Sequence, residues 1–229
     1  MSPHSLHNGP QNHEHAHSSQ LHVLVVDDHA VVRDGLCSIL EAAGNVTCQQ
    51  AESAEAALQL LATPAQVNVM LLDITLPGMN GLDALAEIHK LRENLPVLLL
   101  SMHPEEQYAV RALRMGAMGY ISKSAPSSEV VNAVHAAAAG STYISRHIAA
   151  QVARGIALEG QGPLHEALSN REFEILCMLG SGKSVAEIGR ALSLSVKTVS
   201  TYRERILNKM NFSSNFEIIR YVLQEGLLE

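Results

Sequence analysis

Tryptophan is absent from this sequence, and all aromatic residues together make up 3% of it. Its three cysteines are an odd, widely spaced set, which excludes a disulfide scaffold and favours reduced thiols in the cytoplasm. No apolar run reaches the roughly 18 residues of a membrane span, and no apolar signal-peptide core opens the chain. The 229 residues, 47% of them hydrophobic, therefore predict a cytoplasmic globular protein of one or two domains.

Charge is distributed unevenly along the chain, whose formal net charge is -7. Residues 1–143 carry -8, residues 144–163 carry +1, and residues 164–229 are neutral. An acidic first part and a locally basic second part indicate two different tasks. Residues 1–20 hold five histidines and little that could pack, so we expect a disordered tail, with weak transition-metal binding as the less favoured alternative.

Short apolar runs alternate with helical stretches between residues 21 and 143. The predicted strands are 23–26, 46–50, 67–72, 96–100 and 118–121, and the predicted helices are 30–43, 53–62, 81–93, 104–115 and 127–139. Five β/α units with nearly continuous apolar strands predict a doubly wound, five-stranded parallel sheet. Ligands of such sheets bind beyond the carboxyl ends of the strands.

Polar residues stand where these strands end. Asp27 and Asp28 follow the first strand, Asp73 the third, Ser101 the fourth and Lys123 the fifth. The ends of parallel strands share one edge, so three carboxylates, a hydroxyl and an ammonium group should converge there. Such a carboxylate cluster suits Mg2+, and an aspartate beside it could accept a phosphoryl group.

The strings DD, LLDITLPGMNGLD, LLLSMH and GYISKSAP, in this order, resemble the receiver domain of bacterial two-component response regulators. The flavodoxin-like receiver fold follows from the resemblance, with Asp73 as the phosphoacceptor. It also implies that Asp28, Asp73 and the backbone carbonyl of Thr75 bind Mg2+ directly, while Asp27 acts through water. Ser101 and Lys123 would sense the phosphoryl group, and Tyr120 would be the switch aromatic.

Residues 164–229 read as helices only, with capping boxes at Ser169/Glu172 and Ser184/Glu187. Two capped helices and a tight turn suit a helix-turn-helix, whose second helix enters the major groove of DNA. The string from LSNREFEIL to YRERILNKM resembles the LuxR/NarL-type DNA-binding domain. This implies an all-α, four-helix domain with residues 195–210 as the recognition helix. Residues 144–163 start as a helical stretch and end in Gly160, Gly162 and Pro163, so we interpret them as a linker.

The recognition helix places Val196, Val199, Ile206, Leu207 and Met210 on its apolar side. We expect Lys197, Ser200, Thr201 and Glu204 at base edges, and Thr198, Tyr202, Arg205 and Lys209 at phosphates. For Glu204, an ordinary partner on its own helix is an equally good interpretation. An apolar stripe at Phe216, Ile219, Val222 and Leu223 predicts domain core with one edge free for a second copy.

Together these features predict a transcription regulator of the NarL/FixJ class, controlled by phosphorylation. Its partners would be a histidine kinase, double-stranded DNA and a second copy of itself, with no membrane. One alternative is a phosphorylation-independent DNA-binding protein with a vestigial receiver, although no site residue is missing. Another is a phosphohydrolase with an aspartate nucleophile, which would need an acid where Thr75 stands.

Overall fold

The computed structural model describes residues 20–102, 105–146, 148–150 and 163–227, and the side chains of all these except residues 105–107. The histidine-rich tail expected at residues 1–20 lies outside the described residues except for Gln20. Most of the expected linker, residues 151–162, also lies outside them. In the part of the chain that is described, no helix is both long and apolar enough to cross a membrane.

The predicted parallel sheet is present. Its strands run in the order β2-β1-β3-β4-β5 and every pairing is parallel. The three central strands are almost entirely buried, because helices cover both faces of the sheet. The strand bounds are β1 Leu21–Val26, β2 Val46–Ala51, β3 Val69–Asp73, β4 Val97–Ser101 and β5 Gly119–Ser122.

Five helices connect or follow these strands. Side-chain N-caps mark the starts of two of them. Ser53 caps α2 by accepting a hydrogen bond from the Ala56 N–H, and Asn80 caps α3 by accepting one from the Leu82 N–H. Gly81, the first residue of α3, has to be glycine because a Cβ there would lie 2.1 Å from the Asp73 carbonyl oxygen. The helix bounds are α1 Ala30–Ala42, α2 Ala54–Leu61, α3 Gly81–Leu91, α4 Glu105–Arg114 and α5 Ser127–Ala138.

A 3-10 turn, Leu164–Ala167, precedes a group of four further helices. Both predicted capping boxes are present, Ser169 with Glu172 and Ser184 with Glu187. The predicted recognition helix begins one residue later than expected, because Ser195 is its N-cap and accepts a hydrogen bond from the Thr198 N–H. The bounds are α6 Asn170–Gly180, α7 Val185–Ala191, α8 Val196–Met210 and α9 Asn215–Gln224.

Two expectations about apolar faces were wrong in part, because some residues assigned to them are not in the core. Val196 is 56% exposed, because it is the first residue of α8 and lies beyond the core that buries Val199. On α9, Phe216 and Leu223 are 71% and 60% exposed. The buried residues of α9 are instead Ile218, Tyr221 and Val222, which follow the three- and four-residue spacing of one helix face.

Candidate functional site

The strand-end residues meet at the carboxyl edge of the sheet, as the sequence predicts. Asp73 and Ser101 are the last residues of β3 and β4, and Asp27 comes directly after β1. All three are buried, with relative exposures of 2%, 0% and 0%. Burying two carboxylates this deeply is unfavourable unless a positive charge lies close by.

Lys123 supplies that charge. Its Nζ lies 2.8 Å from Asp73 Oδ2 and 2.6 Å from Asp27 Oδ2, and its side chain is 10% exposed. The carboxylates raise the pKa of Lys123 against the lowering effect of its burial, so the ammonium stays charged. We call Asp27, Asp73 and Lys123 the strand-edge cluster.

The strand-edge cluster carries one more negative charge than positive charge when both acids are ionised. Burial raises the pKa of Asp73 to about 6; Lys123 and a 3.2 Å hydrogen bond from the Thr75 N–H lower it, while Asp27 raises it. Asp27 Oδ2 has the Lys123 ammonium at 2.6 Å, although the two atoms do not form a hydrogen bond of normal geometry. A cation bound at this edge would balance the remaining negative charge, so the residues present fit Mg2+.

Asp28 lies on the solvent side of the strand-edge cluster, with 32% of its side chain exposed. Its Oδ1 is 2.7 Å from Nδ1 of His29, a residue the sequence pattern gave no reason to include. Carboxylate oxygens of Asp27 and Asp28 and a ring nitrogen of His29 all lie within 4.8 Å of one another. Asp28 is therefore available to a cation from water, whereas Asp27 and Asp73 are held by Lys123.

The two predicted switch residues lie inside the receiver core. Ser101 is fully buried and Tyr120 is 4% exposed. Tyr108 of α4 is 1% exposed and belongs to the same hydrophobic core as Tyr120. An aromatic route thus leads from the inside of the receiver to the outer side of α4.

The outer end of that route touches the second, helical domain, which begins at Leu164. The rings of Tyr108 and Phe173 meet edge to face with centroids 5.3 Å apart. Arg111 lies over the Phe173 ring at 5.2 Å, and its Nε donates a 2.7 Å hydrogen bond to Asn170 Oδ1. Arg111 also donates to the Leu168 carbonyl oxygen. Helix α4 therefore packs against the start of α6.

The loop after Asp73 makes the second half of this contact. Asn80 Nδ2 donates a 3.0 Å hydrogen bond to Glu174 Oε2, and Arg171 donates to the Gly78 carbonyl oxygen. Arg171 Nη1 also lies 2.6 Å from Glu174 Oε2. Asn170 Nδ2 donates a 2.8 Å hydrogen bond to Asp83 Oδ1. We call the whole group the interdomain cluster; it consists of Asn80, Asp83, Arg111, Asn170, Arg171 and Glu174.

Sequence reasoning missed the interdomain cluster. Every residue of α6 is buried, including Asn170, Arg171, Glu172 and Glu174, although a polar helix face normally lies in water. Burial also raises the pKa of Glu174 against the lowering effect of Arg171 and Asn80. The one available signal was the density of charged residues in a helix that also supplies apolar core.

The predicted DNA face of α8 lies open. Lys197, Thr201, Glu204 and Arg205 are exposed, while Thr198, Ser200 and Tyr202 are partly buried. The Arg205 guanidinium lies 5.8 Å from the centroid of the Tyr202 ring. Lys209 differs from the others, because its Nζ is 2.6 Å from Glu172 Oε2.

Comparison with known proteins gives each part of the chain a family. Residues 23–135 match the response regulator receiver domain, and residues 166–222 match the luxR family of bacterial regulatory proteins. The response regulator UvrY of Escherichia coli K12 is 36% identical over 209 residues, which cover 90% of this chain and 95% of that protein. The response regulator GacA of Pseudomonas aeruginosa is 34% identical over 209 residues, covering 90% and 97%.

Solved structures show the same fold. RcsB of Salmonella enterica serovar Typhimurium, bound to the P1flhDC promoter with phosphomimetic BeF3-, superposes with a TM-score of 0.60 at 22% identity, covering 90% of this chain and all of that one. A receiver sheet joined to a LuxR-type helix-turn-helix defines a response regulator. The chain belongs to the NarL/FixJ family of these regulators and is a phosphorylation-controlled, DNA-binding transcription regulator.

Proposed function

We propose that Asp73 accepts the phosphoryl group and that a histidine kinase donates it. The observation that carries this proposal is the position of Lys123, whose ammonium lies 2.8 Å from Asp73 Oδ2. A carboxylate at the end of a buried strand, with a cation ready to neutralise a phosphoryl oxygen, is suited to in-line phosphoryl transfer. Ser101, the last residue of the neighbouring strand, would hydrogen-bond to the same group.

Mg2+ is the cofactor that the acidic residues suit. In this proposal Asp28, Asp73 and the backbone carbonyl of Thr75 hold the ion, and Asp27 binds it through water. The ion would neutralise charge on the phosphoryl oxygens when bound. Lys123 holds Asp27 and Asp73 on one side, while the exposed side of Asp28 leaves the approach from water open.

Phosphorylation would act on the DNA-binding domain through the contacts already described. Ser101 and Lys123 respond to the phosphoryl group, and Tyr120 responds to Ser101. Tyr108 then transmits the change to Phe173. The loop after Asp73 offers a second route, since Gly78 and Asn80 contact α6. Either route would weaken the hold of the receiver on α6.

DNA binding is assigned to α8. Lys197, Ser200, Thr201 and Glu204 are proposed for base edges, and Thr198, Tyr202 and Arg205 for phosphates. Lys209, also expected at a phosphate, would first have to leave Glu172. Phe216 and Leu223, seven residues apart on α9 and both exposed, offer an apolar surface for a second copy on paired half-sites.

With these roles the chain divides into a tail over residues 1–20, a receiver domain over 21–143, a linker over 144–163 and a DNA-binding domain over 164–229. We place the regulator in the cytoplasm. It would assist its own phosphorylation and dephosphorylation without turning over a substrate. The partly buried Thr75 stands where a phosphohydrolase would need a second acid.

The test is intact mass after incubation with Mg2+ and a small acyl phosphate. The wild-type chain should gain one phosphoryl group, about 80 mass units, through acyl-phosphate chemistry at Asp73. Asp73→Ala should gain none, while Glu93→Ala, at an exposed acid outside both clusters, should be modified like the wild type. If the wild type stays unmodified but binds DNA, the receiver is vestigial and the switch proposal is wrong.

A further inference from the structure

The chain turns back along the edge of the receiver sheet after α5. Gly140, just beyond the helix, has a φ of +77°, a left-handed conformation that glycine adopts without strain. Tyr143 then forms a parallel bridge with Gly119 of β5, and its N–H donates a 2.8 Å hydrogen bond to the Met118 carbonyl oxygen. We call this segment, residues 141–146 and 148–150, the strap; it covers part of the outer edge of β5, the last strand of the sheet.

The strap is bonded to the backbone of the predicted switch aromatic. The Tyr120 N–H donates a 3.4 Å hydrogen bond to the Tyr143 carbonyl oxygen. Tyr143 packs against the hydrophobic cluster that α1 and α5 form with the sheet, whereas Ile144 packs against the cluster that contains Tyr120 itself. Successive side chains of a strand point to opposite faces of a sheet, so the strap is placed as a short sixth strand would be. A shift of the Tyr120 backbone would therefore act directly on the strap.

Beyond this pairing the strap reaches the contact between the domains. The Ser145 side chain accepts a 3.2 Å hydrogen bond from the Ile148 N–H, which fixes the start of a helical turn. Ile148 is completely buried and belongs to the same hydrophobic cluster as Tyr108 of the receiver and Phe173 of the DNA-binding domain. The pairing at β5 thus positions a side chain in the cluster that joins the two domains.

We propose that the strap is a regulatory element: paired with β5 it holds the DNA-binding domain against the receiver, and phosphorylation releases it through Tyr120. The 3.4 Å hydrogen bond is the longer of the two that hold Tyr143, so a shift of Tyr120 breaks it first. Ile148 then leaves the shared cluster, and the contact between the domains loses a buried side chain. The release rests on the proposed role of Asp73, whereas the hold does not.

Two pairs of variants test the strap. A Cβ at Gly119 would collide with the Tyr143 carbonyl oxygen, so Gly119→Ala should push the strap off β5. Gly35→Ala is its matched control, because a Cβ on this exposed residue of α1 meets no atom within 4 Å. In the second pair, Tyr143→Pro loses the N–H that bonds to Met118 while Tyr143→Ala keeps it. This pair decides if Gly119→Ala, whose Cβ would also lie 2.8 Å from the end of the Leu98 side chain, does not fold.

The hold is measured by alkylation of Cys177 in the full chain. Cys177 is 2% exposed and belongs to the shared cluster, so it reacts when the domains part. The rate should be about tenfold higher in Gly119→Ala than in Gly35→Ala, and about fivefold higher in Tyr143→Pro than in Tyr143→Ala, the effect of losing about one hydrogen bond. Low urea should change these rates little, because parting of the domains exposes less surface than the global unfolding that exposes the buried Cys37.

The release is measured on the full chain with Mg2+ and a small acyl phosphate. The Tyr143 amide of the phosphorylated wild type should exchange with deuterium about tenfold faster, because its N–H no longer bonds to Met118. Cys177 should also be alkylated faster. Tyr143→Ala should respond like the wild type, whereas Tyr143→Pro should respond less, because its strap is already detached.

Each outcome decides one part. Equal Cys177 rates within the pairs of variants would overturn the hold. Rates that rise with urea as steeply as alkylation of Cys37 would also overturn it, because the strap would then stabilise the receiver as a whole. An unchanged Tyr143 amide in the phosphorylated wild type, or equal responses of Tyr143→Pro and Tyr143→Ala, would overturn the release. If intact mass shows no phosphoryl group on the wild type, the proposed role of Asp73 is wrong and the result for the hold stands.

Discussion

The strand-edge cluster and the interdomain cluster both bury charge, but they are assembled in different ways. In the strand-edge cluster, one ammonium serves two carboxylates at the ends of strands that share an edge. In the interdomain cluster, groups from α3, from α4 and from the loop between β3 and α3 meet side chains of α6. The groups of α3 and of that loop lie 87 to 94 residues along the chain from their partners on α6. The strand-edge cluster lies within one domain, whereas the interdomain cluster forms only when two domains are in contact.

This difference suggests different tasks. The strand-edge cluster carries one excess negative charge when both acids are ionised, so it suits a bound cation and a phosphoryl-transfer step. The interdomain cluster satisfies most of its groups internally, although Glu174 Oε1 accepts no hydrogen bond among the described residues. Such a contact can be made and broken as a unit, which suits a regulated interface.

The largest effect is expected from Lys123→Met, which leaves Asp27 and Asp73 buried without their cation. We expect the free energy of unfolding in a metal chelator at pH 7 to fall by about 3 kcal/mol, because an uncompensated buried charge is costly. Saturating Mg2+ should restore part of the loss. Urea unfolding with and without Mg2+ measures both.

Lys90→Met is the matched control, because Lys90 makes an exposed 2.7 Å ion pair with Glu87. That variant should change the free energy of unfolding by less than about 0.5 kcal/mol and show no Mg2+ rescue. If Lys123→Met were as mild as the control, the strand-edge cluster would not depend on its lysine, and the contrast with surface pairs would fail.

The next effect is expected from the titration of His165, which lies beside the interdomain cluster and makes the free energy of unfolding depend on pH. Burial lowers the pKa of His165 to about 4, and its ring lies 5.3 Å from that of Phe173. The folded state therefore prefers neutral His165. Its contribution is fully present above the ordinary histidine pKa of about 6.5 and is lost as pH falls from there towards 4, by roughly 3 kcal/mol at most.

The measurement is the free energy of unfolding of wild type and His165→Gln from pH 7 to pH 4.5. The difference between the two curves should shrink or reverse as pH falls, because glutamine does not titrate. His89→Gln is the control at another histidine. Parallel curves for wild type and His165→Gln would mean that His165 is not held neutral by this environment.

Arg111→Ala should open the interdomain cluster while leaving the strand-edge cluster intact. Losing the Asn170 hydrogen bond and the Phe173 contact should favour separation of α6 from α4 by about 2 kcal/mol. Cys177 is 2% exposed and belongs to the same buried cluster as Tyr108 and Phe173, so its alkylation reports opening. Its rate should rise about thirtyfold if opening precedes modification.

Arg114→Ala is the control from the same helix, since Arg114 is 46% exposed and pairs with the exposed Glu166. It should change Cys177 alkylation by no more than about twofold. Equal rates in wild type and Arg111→Ala would show that Arg111 does not hold the domains together.

The sequence predicts the residues of the strand-edge cluster but not those of the interdomain cluster. Asp27, Asp73, Ser101 and Lys123 could be placed because strand ends in a parallel sheet share an edge whatever surrounds them. Glu174 and Arg171 could not, because helical periodicity describes one face against one core, whereas α6 is covered on all sides. On α9 the predicted stripe lay to one side of the buried face, because Ile218 and Tyr221 are buried with Val222 while Phe216 and Leu223 are exposed.

The smallest effect is expected from Lys209→Ala and tests whether α8 offers all its cations to DNA. Lys209 is 43% exposed and its ammonium lies 2.6 Å from Glu172, whose side chain is 4% exposed, so removing it should cost the DNA-binding domain about 1 kcal/mol or less. If Lys209 stays with Glu172 in the complex, the slope of log affinity against log salt should not change. Arg205→Ala should lower the magnitude of that slope by about 0.9, because an exposed guanidinium that neutralises one phosphate releases about one counterion. Filter-binding titrations on a selected DNA site at several salt concentrations separate the two. Equal losses of slope would mean that Lys209 leaves Glu172 on binding, and the original expectation of a phosphate contact would then hold.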